Sequence, residues 1–193
     1  MFRLKSVLMA AALGFAVLAA QAVEVEGMQI DDQVTVGGVK LNLNAAAPRK
    51  RGYFKTDVMA LYTTEKKATP ETFYHPNGPR RMTLTLLRDL PSATISRYFI
   101  GDFGQVATDA EFKQVINEVG KTGAIYGSLN RVVKGDVVAI DWIPGKGMQT
   151  FLNGKPLNDP AWNSPLYYEV FMRMFVGPIL PEETRAGLFG KAH

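Results

Sequence analysis

The order of local signals along this chain predicts an α+β fold in which helices stack on an antiparallel sheet. Three observations carry that expectation. Alternating apolar residues flank Gly37-Gly38, a capping box at Thr108 opens a helix, and turn signals at 144–147 and 153–154 precede a helix start at Ser164-Pro165.

The first 22 residues stand apart. Arg3 and Lys5 give a positive start, Val7 to Leu18 an apolar run, and Ala20-Gln21-Ala22 a small-x-small cleavage site. That order is the pattern of a secretory signal peptide. The run is too short to cross a hydrocarbon core of roughly 30 Å, and no second one follows it. The expectation is one soluble domain over residues 23–193, exported to the periplasm, with no membrane span after cleavage. There is no cysteine, so disulfides, thiolate metal sites and lipid attachment at the cleavage site are all excluded. Without the leader, 20 Lys and Arg face 18 Asp and Glu, a net charge of +2. The densest basic cluster, Arg49-Lys50-Arg51, is three residues long. Nucleic acids call for a wider patch, so none is expected as a partner.

The elements follow in order. Val34, Val36, Val39, Leu41 and Leu43 alternate with polar residues on either side of Gly37-Gly38, where both turn residues need positive φ, and so predict a hairpin. Tyr53 to Thr63 is apolar on both faces in its second half, as a central strand covered on both sides would be. Lys55 and Asp57 are its exceptions, two residues apart on one face. Thr64 to Arg80 reads as a loop with one helical turn, and Met82 to Leu87 as a strand. Ser92 then opens a short helix through Tyr98 and Phe99.

Thr108-Asp109-Ala110-Glu111 is a capping box, followed at helical spacing by Phe112, Val115, Ile116 and Val119, with Gly120 as the expected stop. Strands are expected over Asp136–Trp142 and Met148–Leu152, with turns at Pro144–Gly147 and Asn153-Gly154. The helix from Ser164-Pro165 carries Leu166, Val170, Phe171, Met174 and Phe175 as its buried stripe, and Gly177-Pro178 stops it. A last helix begins near Pro181, with Glu182 and Glu183 at its positive end.

Most familiar chemistries lack their residues. The two histidines, His75 in a Pro-rich loop and His193 at the C-terminus, have no second ligand at helical or strand spacing, so no metal is expected. There is no Gly-x-Ser-x-Gly elbow. Gly145-Lys146-Gly147 lacks the remaining glycine and the Lys-Ser/Thr of a phosphate loop, and no cofactor is expected. The acidic pairs Asp31-Asp32 and Glu182-Glu183 fall at turn and helix-start positions, where their usual role is structural.

Leu41-Asn42-Leu43-Asn44-Ala45-Ala46-Ala47-Pro48-Arg49, then Phe54-Lys55 and Ala60-Leu61-Tyr62, resemble the chalcone isomerase-like family in its exported bacterial branch. Lys134-Gly135-Asp136, Pro144–Gly147 with Phe151–Lys155, Phe175–Pro178 and Leu188–Gly190 continue the resemblance in order. It implies a large antiparallel sheet with a layer of helices on one face and a ligand cleft between them. It also implies that Arg49 holds an anionic oxygen, which a fixed guanidinium fork suits. Asp57 stands where the isomerases have threonine and the lipid binders tyrosine. A carboxylate there repels an oxyanion and can pair instead with Arg49 or Lys55. The isomerase tyrosine falls near Arg97 and Tyr98.

The expected function is binding of a small amphipathic or lipid-like ligand, without catalysis. Its expected contacts are Arg49, Asp57, Tyr62 and Tyr98, with walls from Met59, Leu61, Tyr62 and the helix bearing Phe112 and Val115. One alternative is an isomerase (an intramolecular lyase) acting on a conjugated carbonyl compound; another is an envelope module that docks a protein partner.

Overall fold

The computed structural model describes residues 22–65, 68–75 and 77–190. Apart from Ala22, the expected leader lies outside these residues, as does His193. The strands are β1 (Ala22–Val25), β2 (Met28–Asp31), β3 (Gln33–Val36), β4 (Val39–Arg51), β5 (Phe54–Thr63), β6 (Arg80–Leu86), β7 (Leu90–Pro91), β8 (Arg131–Val132), β9 (Val137–Ile143), β10 (Gly147–Leu152) and β11 (Lys155–Pro156). The helices are α1 (Pro70–Tyr74), α2 (Ser92–Val106), α3 (Asp109–Ser128), α4 (Pro165–Val176) and α5 (Glu182–Phe189).

Seven strands make one antiparallel sheet in the order β11-β10-β9-β6-β5-β4-β3. Because side chains alternate along a strand, β5 divides its residues between two cores. Met59 and Leu61 join Ala47 under the helices, while Val58, Ala60 and Tyr62 join Ile30, Val36 and Leu41 on the other face. The helical core takes Phe73 from α1, Phe99 and Phe103 from α2, Val115 and Val119 from α3, and Leu188 from α5. Helix α4 is buried along most of its length, from Tyr167 to Val176. The fold is therefore α+β, with a large antiparallel sheet and a layer of helices on one face.

The opposite face is covered in part by the β1–β2 hairpin, which turns through Glu26 and Gly27 at φ of 53° and 75°. This hairpin is not among the expected elements, because Glu-Gly is a weaker turn signal than Asn-Gly or Gly-Gly.

Three elements run further than expected. Helix α2 continues through Gly101 and Gly104 to Val106, and α3 passes Gly120 to end at Ser128, with Val115 leaving helical geometry at φ −111° and ψ 15°. A glycine costs only about 1 kcal/mol in a helix interior, and packing of α2 and α3 on the core outweighs it. Strand β4 runs on through Ala45-Ala46-Ala47-Pro48. Pro48 is tolerated because β3 pairs only Val39–Asn42, leaving the outer edge of β4 free where the proline lacks its N–H.

Two glycines are fixed by close approach. Gly147 sits at φ 106°, and a Cβ there would lie 2.2 Å from the Trp162 carbonyl oxygen. Gly187 lets α5 lie against β4, where a Cβ would meet that of Ala47 at 2.8 Å.

Candidate functional site

Arg49 and Asp57 are register partners on β4 and β5, and both point to the helical face. Arg49 Nε donates to Asp57 Oδ1 at 3.0 Å and Nη2 to Oδ2 at 2.8 Å. Their side chains are 10% and 2% exposed, so the pair is buried. Thr56 has no partner in the β4 ladder, which shifts register between Arg49 and Lys50. Its hydroxyl lies 2.9 Å from Asp57 Oδ2 and 3.1 Å from the Arg49 carbonyl, and its single proton serves one or the other. Burial by itself would lower the Arg49 pKa. The charge and hydrogen bonds of Asp57, with Asp102 behind it, outweigh burial and hold it above the ordinary value. Phe175 lies under the guanidinium, 5.0 Å from ring centroid to Cζ.

Of the two partners open to Asp57, the structure selects Arg49. Lys55 instead donates to Glu26 at 2.6 Å, at the turn of the β1–β2 hairpin.

A second pair lies beside the first. Arg51 closes on Asp102 of α2 through both Nη atoms, and its guanidinium sits over the Tyr98 ring at 4.4 Å. Ile95, Tyr98, Phe99 and Asp102 recur at helical spacing on one face of α2, which turns them together toward the sheet.

Behind the two ion pairs, a cleft of about 100 Å³ runs between sheet and helices. Leu84, Leu86 and Val138 form its floor, Ile95 and Phe99 one wall, and Phe171 and Phe175 another. Tyr126 of α3 adds a phenol, its ring edge-on to Phe99 at 5.4 Å between centroids, and burial alone raises its pKa well above the ordinary value. Arg49, Arg51, Tyr98 and Asp102 also line an outer groove of about 460 Å³ that reaches Gln105 and Pro181. The site is an apolar pit, a rim of two arginine–carboxylate pairs, and a polar groove outside.

The structure thus brings three of the sequence-predicted contacts together, Arg49, Asp57 and Tyr98. Tyr62 is elsewhere. It lies on the opposite sheet face, where its hydroxyl donates to the Asp31 carbonyl at 3.0 Å beside Arg81 and Thr83. Burial first, and the nearby Asp31 charge next, push its pKa up to about 12. The expected walls need the same correction. Met59, Leu61 and Val115 are packed core with 0–1% exposure, and the cleft opens further along the sheet, over β6 and β9.

Tyr126, Phe175 and the Arg51–Asp102 pair were not foreseen. Glycines at 120, 123 and 127 hid the helical continuation that carries Tyr126, and the Arg51–Asp102 contact joins residues 51 positions apart. Among the described residues no group of three His, Cys, Asp or Glu side chains could hold a metal, and His75 is exposed on the loop after α1.

The fold has a solved counterpart. The crystal structure of a fatty-acid binding protein from Arabidopsis thaliana superposes with a TM-score of 0.69, covering 88% of this chain and 96% of that one at 9% identity. No curated protein matches the chain by sequence. The family model described as chalcone isomerase-like matches residues 22–189, from the first strand to the end of the last helix. The chain belongs to the chalcone isomerase-like family.

Proposed function

We propose that this protein is exported to the periplasm and there holds a small amphipathic ligand without transforming it. One observation carries the binding: an apolar cleft between sheet and helices whose polar groups are gathered at one end, on the rim formed by Arg49, Asp57, Arg51 and Asp102. Such convergence of a few polar groups on an apolar pocket is the usual form of a small-ligand site. That a protein of the same fold is named for fatty-acid binding supports the reading. The leader-like first 22 residues support export, and no described helix is long and apolar enough to cross a membrane.

The electrostatics favour binding over catalysis. An isomerase acting on a conjugated carbonyl must stabilise negative charge that develops in the transition state. The Arg49 guanidinium already spends its charge on Asp57.

Native mass spectrometry of the exported protein, beside Ile95→Trp to fill the cleft, tests this. A bound mass present in the wild type and lost in the folded variant is the expected result. Both proteins at their own ligand-free masses, with no small amphipath able to perturb Ile95 or Tyr126 resonances, would overturn it.

A further inference from the structure

Four charges meet at the rim of the cleft, and they cancel. Arg49 and Arg51 supply two positive charges, and Asp57 and Asp102 two negative ones, each guanidinium closed on its carboxylate through two nitrogens. A carboxylate arriving at this rim finds both rim guanidiniums already paired; the nearby Arg97, which makes no ion pair among the described residues, is exposed and stands 5.8 Å from the centroid of the Tyr98 ring. The carboxylate must either displace Asp57, which is 2% exposed and held by two arginine nitrogens with Thr56 in reach, or shed its water beside two like charges. An uncharged oxygen incurs neither cost.

The unspent donors suit such an oxygen. With Nε and Nη2 given to Asp57, Arg49 retains Nη1, and Tyr126 lines the same cleft. Phe175 under the guanidinium helps to keep it in place.

The size of the pit limits the apolar part. A cavity of about 150 Å³ takes a benzene ring, so the roughly 100 Å³ here has room for about four carbons. A long acyl chain would have to lie mainly in the polar outer groove.

Resting on the binding reading above, we infer that the cleft selects a short uncharged alcohol, its hydroxyl at the Arg49 rim and about four carbons in the pit, over a carboxylate of the same length. The neutral rim, set by Asp57 and Asp102, is the specificity determinant.

Amide-resolved NMR titrations of the mature wild-type protein at pH 8, where hexanoate is fully ionised, test it with hexan-1-ol and hexanoate. Hexan-1-ol should bind at least about tenfold more tightly, with the shifts centred on Ile95, Tyr126 and Phe175. Across a series of 1-alkanols, affinity should rise about fourfold per carbon, as for a buried methylene, and level off near about four to six carbons. Asp57→Asn should move the acid-to-alcohol preference at least tenfold toward hexanoate. Asp102→Asn, at a less buried position, should move it in the same direction and serves if the first variant does not fold.

Hexanoate binding as tightly as hexan-1-ol, or more tightly, in the wild type would overturn this inference and leave the binding reading standing. No shift at the cleft with either probe, together with wild type and Ile95→Trp each at its own ligand-free mass, would overturn both.

Discussion

Arg49 and Asp57, eight residues apart in sequence, face each other across β4 and β5 and join through two parallel hydrogen bonds beneath the helical layer. Desolvation offsets much of their attraction, so such a pair contributes less to stability than its geometry suggests. Removing one partner is another matter. Arg49→Met alone should cost about 3–5 kcal/mol, because it strands a buried carboxylate. The double variant Arg49→Met with Asp57→Leu should recover most of that loss. Urea unfolding of the two single variants and the double checks it; a double variant as unstable as the sum of the singles would show that the pair is not the unit.

Glu111 ties the start of α3 to α4. It accepts from the Thr108 backbone N–H at 2.8 Å and from Arg173 at 2.6 Å. Its partial burial works to raise its pKa, but those hydrogen bonds and the Arg173 charge outweigh burial and leave it below the ordinary carboxylate value. The contribution of this carboxylate is therefore complete above the unfolded-chain pKa of about 4.3 and is lost as pH falls through the lower folded value. Glu111→Gln should be less stable than wild type at pH 7, and the gap should close below about pH 4. Denaturant midpoints at pH 7 and pH 3 measure this.

Two glycine substitutions should have opposite signs. Gly147→Ala places a methyl against the Trp162 carbonyl at a positive φ, and should cost on the order of 3 kcal/mol. Gly120→Ala lies on the exposed side of α3 with open space around it, and should stabilise by roughly 0.5–1 kcal/mol. Thermal melts of the two variants distinguish them.

If the leader is cut after Ala20-Gln21-Ala22, the mature chain begins at Val23. Intact mass and N-terminal sequencing of the exported protein should show that start. An exported chain that retains Met1 would contradict it.

What the sequence revealed was local. The hairpin at Gly37-Gly38 has both glycines at positive φ, 57° and 83°, and the Thr108 capping box is made by both of its side chains. The two-sided burial of β5 followed from its composition. The same alternation separates Tyr62 from Met59, so the expectation that both wall one cleft ran against the strand's own period.

The site was less legible, because it is assembled by tertiary contacts. Whether Asp57 meets Arg49 or Lys55 depends on the ladder shift at Thr56, which no spacing rule announces. Tyr126 joins the cleft only because α3 carries on past Gly120, a matter decided by its packing on the core.

The strand order has a bearing on how the chain folds. From β3 to β6, and again from β9 to β11, every ladder joins strands that follow one another in sequence, so each half is a meander, closed over short turns except between β5 and β6, where α1 intervenes. The ladder between β6 and β9 is the exception, for about fifty residues, including all of α2 and α3, separate the two. Loop-closure entropy is paid there before any hydrogen bond is gained, and pairs of high sequence separation slow folding. The β6–β9 seam also forms the floor of the cleft, through Leu84, Leu86 and Val138. The binding site is thus built across the joint between two halves that can each begin to fold alone, and it comes into being only when that joint closes.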